Sequence, residues 1–208
     1  TIKATGTVAN PIVFQKSGAG ANPIITAFQW TVATAYDGII KIAGGDYITF
    51  DAIDLQENAL NTTIYTDWGY ALVKASAVTP FDGCQFVTIK NCTITLNKTN
   101  TNSIGIYSAN HIAKATTSLT ILATTDAHNN NKFFSNTVTN CYSPISINGY
   151  AAASPYTLYD QNNEVGVGGA NTITNFFFFL VSARGIYGIY QNGMKVSNNN
   201  ISSSVVGT

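Results

Sequence analysis

VTIKNCTITL, residues 87–96, carries apolar side chains at Val87, Ile89, Cys92, Ile94 and Leu96. The alternation skips once, at Asn91, and then resumes. Runs of period two are strands with one buried face, so the stretch reads as two short strands meeting at a bend. The same spacing recurs along the chain. Ile48, Phe50, Ile53 and Leu55 repeat it 39 residues upstream. Downstream, Asn136, Asn171 and Asn199 stand where Cys92 stands, each followed two residues on by Val138, Ile173 or Ile201. The steps from Cys92 onward are 44, 35 and 28 residues, and NTVTNCYSPISI (136–147) aligns without a gap on NTITNFFFFLVS (171–182). Repeats of this size mark a solenoid or an array.

Nothing in the chain sustains a helical period with start and stop signals. If each coil supplies two or three short strands and successive coils stack in parallel about 4.8 Å apart, equivalent residues form columns along the axis. The fold expected is all-β: a right-handed parallel β-helix of about five to six irregular coils. The column Ile53, Cys92, Asn136, Asn171, Asn199 begins apolar and ends as an asparagine ladder, in which each amide is expected to bond to those above and below, because buried amides need partners. A β-sandwich of evenly spaced hairpins fits the composition, but its strands would not reproduce one template in register. One module is expected over 1–208, with insertions at 56–69, 109–131 and 149–165.

Five stretches, GGDYITFDAIDL (44–55), GCQFVTIKNCTITL (83–96), SIGIYSAN (103–110), NNKFFSNTVTN (130–140) and GIYQNGMKVSNNNIS (188–202), give the chain a resemblance to a known family. It resembles the right-handed, pectate-lyase-like β-helix repeats of large secreted surface proteins of Bacteroidetes-type bacteria. The resemblance covers nearly the whole chain and implies export, by the type IX route, and a place within a longer polypeptide. The repeat pattern runs to both ends without a polar cap, and solenoid ends need caps, so the chain is expected to be a processed or excised part.

Composition narrows the partners. Of 208 residues 45% are hydrophobic and only 10% charged, with zero net charge. Nucleic acid would want a basic stripe and an anionic membrane surface a polybasic one. No apolar run is long enough to insert in a membrane. A secreted or cell-surface location is expected.

Catalytic groups on a β-helix would stack in one outward column. The column from Asp54 reads Asp54, Thr93, Thr137, Thr172, Asn200 and holds one carboxylate, whereas glycoside hydrolysis wants two. The column from Asp51 reads Asp51, Lys90, Phe134, Gly169, Ser197, which predicts an Asp51–Lys90 ion pair across adjacent coils. A calcium-assisted lyase would gather several oxygen ligands, and a metal site spaced cysteines and histidines; neither pattern is present, and no cofactor is implied. Lys74 could serve as a lyase base only with a partner. Arg184 could clamp a sugar carboxylate or hold a turn. His111 and His128 are expected on the surface, in one polar loop. The three cysteines are expected as free thiols, with Cys92 buried.

Eleven tyrosines and two tryptophans, many beside glycine in loops, suit stacking on sugar faces or sealing coil edges. The candidate glycan contacts are Trp68, Tyr107, Tyr150, Arg184 and Lys74. Alternate residues of Phe176–Phe179 must face outward, and the 149–165 insertion is expected to cover them. Two readings stand: a non-catalytic structural or adhesive surface module that contacts polysaccharide or neighbouring subunits, and a polysaccharide lyase or glycoside hydrolase domain.

Overall fold

A computed structural model describes residues 1–29, 36–61, 66–176 and 184–203. Three parallel sheets run the length of the molecule. The first stacks β1 (Ile12–Gln15), β4 (Ile48–Asp51), β7 (Thr88–Lys90), β10 (Lys132–Phe134), β14 (Glu164–Val165) and β18 (Lys195–Val196). The second stacks β2 (Ile24–Thr26), β5 (Asp54–Gln56), β8 (Thr93–Thr95), β11 (Thr137–Thr139), β15 (Thr172–Thr174) and β19 (Asn200–Ser202). The third stacks β3 (Gly38–Ala43), β6 (Trp68–Lys74), β9 (Ile104–Ile112), β12 (Ser143–Asn148) and β16 (Ile186–Ile189). A short parallel pair joins β13 (Asp160–Gln161) to β17 (Gln191–Asn192). Each pass through the three sheets is one coil of a parallel β-helix.

Apolar columns fill the interior in register. Phe14, Phe50, Ile89, Phe133, Val165 and Val196 form one. Ile25, Leu55, Ile94, Val138, Ile173 and Ile201 form the second, reproducing the 39-, 44-, 35- and 28-residue steps read from the sequence. The third runs Ile40, Tyr70, Ile106, Ile145, Ile186. Coils approach so closely at Gly69 that a Cβ there would meet the Gly105 carbonyl oxygen at 2.4 Å.

The bends are columns as well. Asn91, the residue that interrupts the alternation, lies at φ 56°, and its counterparts Ala52, Ser135 and Asn198 at 57°, 55° and 54°. A second left-handed column, Tyr47, Phe86, Asn130, Asn162 and Gly193, precedes the strands of the first sheet. Asparagine and glycine tolerate this region better than other residues. Tyr47 and Phe86 do not, but their rings stack with centroids 4.6 Å apart.

The asparagine column is wired differently from the expected amide-to-amide ladder. Asn136 Oδ1 accepts the Cys92 backbone N–H at 3.1 Å while its Nδ2 donates to the Ile89 carbonyl at 2.9 Å. Asn171 repeats both bonds, to Asn136 N–H at 3.0 Å and the Phe133 carbonyl at 2.9 Å. Each amide thus ties down the bend of the preceding coil, and a direct amide pair occurs at Asn171–Asn199, 2.8 Å. A second such column, Asn131 and Asn163, holds Val87, Asn131 and the carbonyls of Cys84 and His128 in the same way.

Several expectations need adjustment. Lys132 faces Glu164 and Phe133 faces Val165, a step of 32 residues, so Gly166 rather than Gly169 follows Phe134. β9 continues to Ile112 and β13 starts at Asp160, which shortens the second and third insertions to about 113–131 and 149–159. β5 and β6 likewise leave 57–67 between them. Cys84, Cys92 and Cys141 are free and buried, and burial pushes the Cys84 and Cys141 thiols up to about 12. Phe176 is buried in the core; Phe177 to Phe179, with Trp30 and Tyr65, fall outside the described residues.

Candidate functional site

The outer face of the third sheet carries an aromatic wall built in register. Ser146 of β12 pairs with Tyr107 of β9 on one side and with Tyr187 of β16 on the other. Ser146 lies between them in register and is 5% exposed. The next outward row is Ala109, Asn148, Ile189, again in register. These three residues line a cleft of about 310 Å³. Tyr107, Tyr187, His111, Thr116, Ser118, Gly149 and Tyr190 line its walls. Crossing three strands, the cleft spans about 10 Å along the axis.

Each wall is backed from behind. The Trp68 ring lies 5.1 Å from Tyr107 and 5.4 Å from His111, and the Arg184 guanidinium sits 4.3 Å from the centre of the Tyr187 ring, a cation–π contact. Beyond the cleft Tyr190 leads to Tyr159, at 5.6 Å, and Tyr159 to Tyr156, at 5.1 Å, so aromatic surface continues onto the third insertion. Asn110 is held by its Nδ2, which donates to Ser118 Oγ at 2.9 Å and to the Leu119 carbonyl.

Hydrogen bonding fixes the protonation of His111. Its Nδ1 lies 2.9 Å from the Ile112 carbonyl and must carry the proton; Nε2 therefore accepts from the Tyr107 hydroxyl at 3.0 Å. Burial lowers the imidazole below its ordinary value and pushes Tyr107 up to about 12, against a smaller opposing hydrogen bond from Asn148. The pair is driven apart in acidity, so passing the phenolic proton to the imidazole is made harder. No Asp, Glu, Lys or Arg is among the described residues that line the cleft.

The five residues singled out from the sequence meet different fates. Tyr107 lines the cleft, Trp68 and Arg184 brace its walls, and Trp68 is itself only 3% exposed on strand β6 rather than in a loop. Tyr150 packs against the satellite cluster of Phe81, Ile121 and Ala127. Lys74 is 1% exposed, its Nζ donating to the Asp126 carbonyl, with burial lowering it and Asp160 opposing; such a lysine is not presented to a surface ligand. The histidines are not surface residues. His111 is buried, and His128 accepts the Cys84 N–H on Nδ1 at 3.0 Å and donates from Nε2 to the Ala109 carbonyl at 3.0 Å. Both nitrogens are used by the neutral ring, and burial, with Lys74 adding to it, holds His128 well below its usual value.

Asn148, Tyr187 and Tyr190 were not singled out. The signal was available: SIGIYS, YSPISI and ARGIYG align at steps of 39 and 41 residues, which puts Tyr107, Ser146 and Tyr187 in one column. A second cleft, about 420 Å³, crosses the first sheet between Lys90, Lys132, Phe134 and Glu164. Its charges are already paired: Asp51–Lys90 at 3.1 Å, as expected, and Glu164 with Lys132 and Lys195 at 3.3 and 3.4 Å. Among the described residues no group of three His, Cys, Asp or Glu could hold a metal.

Fold and cleft together define a parallel β-helix protein with an aromatic cleft on one outer sheet. Compared with protein-family models, curated proteins and solved structures, the chain matches none.

Proposed function

We propose that this chain is a non-catalytic module of a secreted or cell-surface protein, a rigid rod that holds a glycan in the cleft on its third sheet. The observation that carries this reading is the in-register wall of Tyr107 and Tyr187 beside Asn148. Flat apolar rings with polar tips, next to amides and hydroxyls on a preformed scaffold, are what a sugar face needs. The resemblance to secreted surface repeats supports the location, and the zero net charge agrees with an uncharged or weakly charged environment.

Catalysis fits less well. Glycoside hydrolysis needs two carboxylates across the scissile bond, and the described lining supplies none. Elimination needs an accessible base, while Lys74 is buried and the His111–Tyr107 pair is poised against proton exchange. The test is retention on immobilised polysaccharides together with assay for new reducing or unsaturated ends. Retention lost in Tyr187→Ala, without new ends, is the expected result. New ends would make the module an enzyme, and no retention on any glycan would remove the reading.

A further inference from the structure

We propose that the cleft selects an uncharged glycan and rejects uronate-rich chains, an inference that rests on the glycan reading above. A pectate-lyase-like resemblance alone points the other way, toward acidic polysaccharide, so the lining decides the matter. Every described lining residue is neutral: three tyrosines, Asn110, Asn148, Thr116, Ser118, Ala109, Gly149 and Ile189. His111 adds no charge. Its Nδ1–H is committed to the Ile112 carbonyl and its Nε2 to the Tyr107 hydroxyl, so protonation would cost the second bond inside a buried site.

The neighbouring cation stands outside the lining. Arg184 is exposed, but its guanidinium rests on the Tyr187 ring, and it is not among the lining residues. A carboxylate entering the cleft would shed water and find no opposite charge among the described lining residues, and an unpaired buried charge is far costlier than a hydrogen-bonded hydroxyl. A hydroxyl-bearing ring has ready partners in the Asn148 amide and the Thr116 and Ser118 hydroxyls, with Tyr107 and Tyr187 against its apolar edge. The continuation over Tyr190, Tyr159 and Tyr156 offers further aromatic surface for additional sugar units.

Polygalacturonate and its methyl ester share one backbone and differ in charge, which makes them the deciding pair, with xylan as a second neutral probe. Affinities are measured on the full chain and on Thr116→Trp, which places a bulky group at the exposed rim without disturbing the core. The expected result is that the ester or xylan binds at least tenfold more tightly than polygalacturonate, with little dependence on salt, and that Thr116→Trp removes this binding. Tighter binding of polygalacturonate that Thr116→Trp blocks, weakened by salt and by Arg184→Ala, would overturn the neutral selection while leaving a glycan-binding cleft. Neutral binding that Thr116→Trp leaves intact would overturn the placement in this cleft. Failure of all three polymers to bind would instead count against the glycan reading itself.

Discussion

Asp67 is 1% exposed; the Asn100 amide lies 3.4 Å from its Oδ1 and the Asp37 backbone N–H also donates to the carboxylate, while Oδ2 has no hydrogen-bond partner. Burial raises its pKa from 3.8 to about 6, with Asp37 and Glu57 adding repulsion. A raised carboxyl means that the folded state holds the proton more tightly. The stability it brings is fully present below 3.8 and is lost as pH rises through about 6. His128 acts in the opposite sense: its folded value lies below the unfolded 6.5, so its contribution is present above 6.5 and falls away in acid. The two can be separated by difference. Asp67→Asn carries no titrating group, so its stability relative to the parent should climb between pH 4 and pH 8 by roughly 2 kcal/mol. Urea denaturation at both pH values reads this directly, and a difference that stays flat would show that Asp67 ionises freely in the folded chain.

At the level of strands and bends, the β-helix was legible because two signals are local. Alternation at 87–96 fixed which side chains face inward, and the extra residue at Asn91 fixed the bend, which the left-handed φ of Asn91, Ala52 and Ser135 explains. The wiring of the ladder was not legible, since an asparagine at a buried bend can satisfy its amide from side chains or from backbone, and only three-dimensional spacing chooses. The Asn131–Asn163 column escaped because it steps by 32 residues while the Asn136–Asn171 column steps by 35, the difference being taken up in the glycine-rich turn at 166–169. These amides are the main polar bracing of the coil. Asn136→Ala would strand the Cys92 N–H and the Ile89 carbonyl in the interior, at about 1–3 kcal/mol for each group. Thermal and chemical unfolding should therefore show a loss of about 3 kcal/mol, whereas Asn199→Ala, on the exposed last coil, should cost less than about 1 kcal/mol. Equal losses would mean that the amides stabilise by local turn preference and not by bracing the coil beneath.

Across the whole molecule, function was harder to read than fold because the cleft is a property of three coils at once. Tyr107, Ser146 and Tyr187 are unremarkable singly, and Trp68 and Lys74 attract notice as residue types although burial removes both from the surface. What a solenoid does convey is a gradient. Each coil contacts only its neighbours, so stability is a sum of coil and interface terms, and an inner coil has two interfaces where an end coil has one. The columns show this: Ile89, Phe133, Ile94 and Val138 are fully buried, but at the two ends the same columns open to solvent at Phe14, 38% exposed, Ile25, 41%, Val196, 52%, and Ile201, 45%. End coils therefore lose less apolar contact on opening, and local unfolding follows the least protected segment. In this 208-residue chain, amide hydrogen exchange should be slowest in β6, β7, β8, β9 and β11 and fastest in β1, β2, β18 and β19, with the amides lining the cleft in β9 and β12 slower than those of β16. Protection that is uniform from end to end would mean one cooperative unit, and the additive picture of stacked coils would have to be abandoned.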